Sequence, residues 1–448
     1  MKLHSRLLLR AAAALAATAL AACAAPIPDG AVRLRVELDR TVLPARTADR
    51  AVIKICLDAL RLPRAGRRAP VNLALVLDRS GSMSGGKIEK AREAARELLR
   101  RLAPDDLFSL VAYDTRVDTL IHARRVGDGR AIEEAIDAIE AGGSTALYGG
   151  VVQGAAEVRR HLEDGGTVNR IVLVSDGLAN VGPSSPEELG RLGAALVREG
   201  ISVTTVGLGL DYNEDLMTRL ARRSDGNTYF VEDCADLPRI FTAELGDVLS
   251  VVARRVVITI DFPDGVRPLR FVGRDGLIRG QRAELTLNQL YGGQEKFALV
   301  EVEVPPGEAG AELEVARTTV TYEDACTQRA ATVSARGSVR FDADRRAVVA
   351  SANHQVQADY AANVIALAKD DAVALVDAGR PDEAAGQLRA MAAELQVLGA
   401  AYGNRAVAQA AAANAAEADR LQRDGLGNAE RKAYRTESSQ TRNQQSAR

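Results

Sequence analysis

Three short stretches, far apart in the chain, carry oxygen donors of the kind that hold a hard cation. The first is Asp78-Arg79-Ser80-Gly81-Ser82, a carboxylate followed by two hydroxyls on alternate positions. The second is Gly142-Gly143-Ser144-Thr145 and the third is Ser175-Asp176-Gly177. None of them contains an imidazole or a thiol. Carboxylate and hydroxyl oxygens alone suit Mg²⁺ most naturally, with Mn²⁺ or Ca²⁺ as substitutes. Asp78, Ser80, Ser82, Thr145 and Asp176 are therefore the expected metal-holding residues. The three hydroxyls are placed for direct contact, and the two carboxylates for holding coordinated waters. Two carboxylates only neutralise a dication, and Mg²⁺ wants about six oxygens in octahedral array. One seat is thus expected to stay open for an acidic side chain from another protein.

For these residues to meet, the rest of the chain must bring three loops to one place. Residues 71–77 form an apolar run broken only by Asn72, the pattern of a strand buried on both faces of a parallel sheet. Further strands are expected at 107–113, 171–175, 201–206 and 228–231, with a weaker edge candidate at 117–121. Amphipathic helices are expected between them at 87–102, 130–140, 147–162, 186–199, 214–222 and 237–248. This alternation predicts an α/β domain with a doubly wound, mostly parallel, Rossmann-like sheet and right-handed crossovers. In such a sheet Asp78 and Asp176 end neighbouring strands where the winding reverses, which is where open sheets bind ligands.

Taken together, the three stretches resemble the metal-ion-dependent adhesion site of von Willebrand factor A-type (VWA) domains. That family's motif is Asp-x-Ser-x-Ser, a Thr on a second loop and an Asp on a third, and all five positions match here. The resemblance covers about residues 70–248. It implies a non-enzymatic domain that binds a protein partner through a shared ion, the partner supplying a Glu or Asp. The flanking layout is similar to bacterial A-type lipoproteins and, more distantly, to inter-α-trypsin inhibitor heavy chains.

Outside that segment the pattern changes. Alternating apolar runs at 256–260, 283–287, 297–304, 313–322 and 338–341 predict an antiparallel β-sandwich over 249–345. Two orphan strands within 31–69 are expected to pair with it, so that the α/β domain at 70–248 is an insertion. Residues 346–425 are Ala-rich and read as a helical hairpin region broken by Gly379-Arg380-Pro381, and the polar segment 426–448 reads as a disordered tail. At the other end, Lys2, Arg6 and Arg10 precede a short apolar stretch and Leu20-Ala21-Ala22-Cys23. This resembles a bacterial lipoprotein signal over 1–22, with Cys23 the lipidated residue and 23–30 a tether. The implied location is the cell envelope, on the periplasmic face or surface of the outer membrane and held by a lipid anchor. Ala24 after the cysteine favours the outer membrane by the same analogy.

Composition narrows the function. In a chain of 448 residues with 47% hydrophobic and 4% aromatic content, a net charge of −2 argues against a nucleic-acid binder. Cys56, Cys234 and Cys326 leave room for one disulfide, with the pairing open. Two other functions compete with partner binding. Gly81 to Lys87 falls one residue short of a phosphate-binding loop, which would make the protein a nucleotide hydrolase or phosphotransferase. Ile88 stands where that loop needs a hydroxyl for Mg²⁺. A structural scaffold that binds no partner is the other alternative.

Overall fold

The computed structural model describes residues 30–61, 68–163 and 166–445. The expected signal and Cys23 lie outside them. Three strands come first: β1 (Val32–Leu38), β2 (Val42–Pro44) and β3 (Asp49–Ala59). The α/β segment follows as β4 (Val71–Asp78), α1 (Gly86–Arg101), β5 (Leu107–Tyr113), β6 (Val117–Arg125), α2 (Arg130–Asp137) and α3 (Leu147–Arg159). It continues through β7 (Val168–Ser175), α4 (Pro186–Arg198), β8 (Ile201–Leu208), α5 (Glu214–Arg223), β9 (Thr228–Val231) and α6 (Leu237–Val248).

These six strands form one sheet in the order β6-β5-β4-β7-β8-β9, parallel except for the β6 edge. Every residue of β4 is buried, and alternate side chains serve opposite faces. Leu73, Leu75 and Leu77 pack with Ile88, Ala95 and Leu98 of α1 and Phe241 of α6, whereas Ala74 and Val76 pack with Val151 and Ala155 of α3 and Leu189 of α4. The one polar residue in the run, Asn72, donates its amide nitrogen to the Val158 carbonyl at 2.9 Å and to Asn169 at 3.1 Å, while its buried side-chain oxygen has no hydrogen-bond partner among the described residues.

After α6 the chain forms β10 (Val251–Asp261), β11 (Arg267–Val272), β12 (Leu277–Arg279), β13 (Arg282–Tyr291), β14 (Glu295–Val304), β15 (Glu312–Asp324) and β16 (Ala330–Asp342). Two sheets result, β1-β3-β14-β11 and β12-β13-β10-β15-β16-β2. They enclose a shared core that includes Ile53, Ile55, Val256, Ile258, Val300, Val302, Val320 and Phe341. The early strands therefore complete a sandwich whose remaining strands begin only at Val251, after β3 ends at Ala59, with the doubly wound domain inserted between. β2, β11 and the three-residue β12 lie outside the expected runs. β2 is only three residues long, and β11 carries Pro268 at a register shift against β14.

The helical region consists of α7 (Arg345–Ala350), α8 (His354–Asp377), α9 (Pro381–Tyr402), α10 (Arg405–Asp424) and α11 (Asn428–Arg442). The break at Gly379-Arg380-Pro381 falls between α8 and α9, and α8 covers the outer face of the four-stranded sheet through Val356, Tyr360 and Val364. Here the sequence reading needs correction, because residues 428–442 of the expected disordered tail are helical. Charge holds α11 in place. Lys432 donates to Glu214 at 2.6 Å and to the Tyr212 carbonyl at 2.7 Å, and Arg431 meets Asp215 and Asp377 at 2.6 Å. Arg435 and Arg442 both reach Asp370, at 3.1 and 2.9 Å. The helix thus ties the α/β domain to α8. A second correction concerns the thiols, since Cys56, Cys234 and Cys326 are all free.

Candidate functional site

β4 and β7 are hydrogen-bonded neighbours, with Leu77 opposite Val174, so Asp78 and Asp176 emerge side by side at the carboxyl ends of adjacent strands. On one side of them the chain proceeds from β4 to β5 and β6, and on the other from β7 to β8 and β9. This is the winding reversal that the sequence predicts. A short 3₁₀ turn at Gly81–Met83 then carries the chain into α1.

The five expected residues come together here. The Asp78 carboxylate is fully buried and accepts from the Ser80 amide at 2.8 Å and the Ser175 hydroxyl at 2.6 Å. Burial pushes the Asp78 carboxyl up from its ordinary value, and the hydrogen bonds from Ser175 and Ser80 oppose that rise. The Ser80 and Ser82 hydroxyls lie 3.0 Å apart, and Ser82 donates to Asp176 Oδ1 at 2.7 Å. Thr145 arrives on the second loop. Its amide donates to Asn180 Oδ1 at 2.8 Å, and its carbonyl accepts from the Asn180 amide at 3.1 Å. The second loop is also tied to the first, Gly81 N donating to the Gly143 carbonyl at 3.0 Å and Gly142 N to the Arg79 carbonyl at 2.8 Å.

Two glycines make the meeting possible. Gly143 has φ +80°, where a side chain would be strained and would also strike Thr115 Oγ1 at 2.9 Å. At Gly177 a Cβ would lie 3.2 Å from Thr145 Oγ1, 3.3 Å from Ser82 Oγ and 3.8 Å from Ser80 Oγ. Three hydroxyl oxygens from two loops therefore surround one small volume beside two buried carboxylates. Among the described residues, no group of three or more His, Cys, Asp and Glu side chains is placed to hold a metal. The donors at this site are instead two carboxylates supplemented by neutral hydroxyls, and that chemistry fits a hard divalent cation.

Several participants were not foreseen. Lys87, at the start of α1, extends its ammonium to Asp176 Oδ2, and Ser175 anchors Asp78. Arg79 pairs with Asp114 at 2.8 Å and with Asp118. Thr115 Oγ1 accepts from the Ser144 amide at 2.9 Å, and Asn180 fixes Thr145 as described. Ser175 and Lys87 stood inside the motif stretches and could have been weighed there. Nothing in the sequence singles out Asn180. Leu178, two residues beyond Asp176, is 59% exposed.

Comparison with known proteins agrees with this fold. Residues 72–243 match the family described as von Willebrand factor type A domain. An uncharacterized protein of Synechocystis sp. is 34% identical over 175 residues, which is 39% of this chain and 41% of that protein. The matches to the first curated relatives span only about two fifths of those proteins' lengths. Among solved structures, a von Willebrand factor type A protein from Catenulispora acidiphila superposes with a TM-score of 0.65 at 18% identity, covering 82% of this chain and 87% of that one. The ArnB paralog VWA2 from Sulfolobus acidocaldarius gives 0.61 at 17% identity, covering 92% and 98%. At these identities the structural likeness speaks for the fold alone, including the sandwich and helices outside the matched segment.

Proposed function

With a von Willebrand factor type A domain at residues 72–243 as the premise, we propose that the protein is a non-enzymatic, lipid-anchored envelope protein that binds a protein partner through a divalent cation. The supporting observation is the convergence of the Ser80, Ser82 and Thr145 hydroxyls on one point beside the buried carboxylates of Asp78 and Asp176. Asp78, Ser80, Ser82, Thr145 and Asp176 would hold the ion, Mg²⁺ by donor chemistry, with Mn²⁺ or Ca²⁺ as substitutes. The ion would supply a Lewis-acidic seat for a Glu or Asp of the partner. Exposed Leu178 offers that partner an apolar contact next to the seat.

The chain's own residues do the positioning. Ser175 and the Ser80 amide fix the Asp78 carboxylate, while Ser82 and Lys87 fix Asp176. Asn180 sets the height of Thr145 over the strand ends. The phosphate-loop alternative is disfavoured because Lys87, the residue it depends on, is turned onto Asp176. No helix among the described residues is long and apolar enough to cross a membrane. The proposed attachment rests on Cys23, by resemblance to a lipoprotein signal.

Capture from envelope extract with the full chain tests partner binding. A partner retained in Mg²⁺, released by chelator and absent with Asp78→Ala is expected. Equal capture under all three conditions would refute the shared-ion reading. Cys23→Ser should release the protein from membranes, and continued retention would refute the anchor.

A further inference from the structure

We infer that Lys87 sets the charge of the cation site and thereby its preference for an anionic ligand, an inference that rests on the metal-site reading above. The two oxygens of Asp176 are divided between partners. Oδ1 accepts from Ser82 on the side of the converging hydroxyls, and Oδ2 accepts from Lys87. The ammonium therefore takes the Asp176 oxygen that Ser82 does not. Lys87 is 28% exposed and its Nζ lies 3.8 Å from where a Cβ of Gly209 would stand, so the loop after β8 confines it. Arg79 contributes no competing excess of positive charge, because Asp114 and Asp118 both pair with it.

The consequence is arithmetic in unit charges. Asp78, Asp176 and Lys87 together carry −1, so a dication leaves the loaded site at +1. Without the lysine the same residues carry −2, and the loaded site is neutral. Lys87 must therefore weaken the hold on the cation alone while strengthening the hold of the loaded site on a carboxylate. Because Lys87 is partly open to water, its charge acts on the ion through a near-aqueous dielectric, where a unit charge several ångströms from a dication alters such affinities by about tenfold. Lys87 is in this sense a specificity-determining residue. It selects for occupation by cation and acid together over cation alone.

The test uses the full chain with Mn²⁺ and acetate as probes. Calorimetry measures Mn²⁺ binding, and water-proton relaxation of the Mn²⁺-loaded protein measures displacement of bound water by acetate. In Lys87→Gln, Mn²⁺ is expected to bind about tenfold more tightly and acetate about tenfold more weakly, while Lys87→Arg keeps both near the wild-type values. If Lys87→Gln leaves both unchanged, or moves both in the same direction, the inference is overturned. Loss of both would mark Lys87 as a support for Asp176 alone. If Asp78→Ala binds Mn²⁺ as the wild type does, the error lies in the site assignment itself, and the inference falls with it.

Discussion

Two charged regions of the molecule are built on opposite plans. Along α11, Arg431, Lys432, Arg435 and Arg442 each meet acids of α5 or α8, and the Lys432–Glu214 pair is closed off from solvent at both ends. At the ends of β4 and β7, by contrast, only Asp176 of the two carboxylates meets a lysine, and three hydroxyls turn toward a common point. Saturated charge fixes one element against another. Oxygen donors left converging make a place for something from outside. The same residue types therefore serve cohesion in one region and reception in the other, and the difference lies in whether the counter-charge belongs to the chain.

This contrast is most exposed to failure at the closed pair. Lys432→Met should leave Glu214 buried with only Arg431 against it and cost about 3 kcal/mol in urea denaturation. The double variant Lys432→Met/Glu214→Leu should recover most of that loss. If the single variant is neutral, α11 is not held by charge.

A smaller effect, of about 1–2 kcal/mol, is expected where the chain end meets the sandwich. Lys296 is buried and donates to the carbonyls of Asn443 and Gln444 at 2.5 and 3.1 Å. Burial, reinforced by the positive charge of Arg274, pushes its ammonium down to about 7. An unfolded lysine keeps its proton to about pH 10.4. Between roughly pH 7 and that value the unfolded chain binds the proton and the folded one does not, so stability rises with pH across the window. Relative to Lys296→Met, the wild type should gain about 1–2 kcal/mol from pH 7 to 9. A flat difference would show that the ammonium remains charged in the fold.

At the open site the sign should reverse. Asp78→Asn keeps acceptor and donor atoms where Ser80 and Ser175 need them, and it removes a charge that burial disfavours. In chelator the variant should be more stable than wild type by about 1 kcal/mol. A loss of several kcal/mol would put this carboxylate with the cohesive network instead. Smallest of all, Leu178→Ser should change stability by less than about 0.5 kcal/mol, because its side chain is largely exposed. Partner capture should weaken in that variant, and capture at wild-type strength would remove Leu178 from the contact surface.

The sequence made the receptive region readable because its residues are local and typed. Asp-x-Ser-x-Ser sits directly after a buried apolar run, and strand–helix alternation dictates that residues 78 and 176 end adjacent strands. The cohesive region was opaque for the reason that makes it work. The buried face of α11 consists of Lys432, Tyr434, Thr436, Ser438, Ser439 and Arg442, which carry almost no apolar period. Its partners Glu214, Asp215 and Asp370 lie on other elements, and no spacing rule connects residues so far apart. β11 escaped notice because Pro268 interrupts its pattern, and Asn180 because a lone amide on a loop has no signature.

The central claim is tested most directly by thermal unfolding of the full chain with and without Mg²⁺. Binding to the folded state alone should stabilise the wild type by about 2.7 kcal/mol at a hundredfold excess over Kd, seen as a higher Tm, whereas Asp78→Ala and Thr145→Ala should show no shift. A wild type indifferent to Mg²⁺, or variants that shift as much as it does, would contradict the assignment of Asp78, Ser80, Ser82, Thr145 and Asp176 as a cation site.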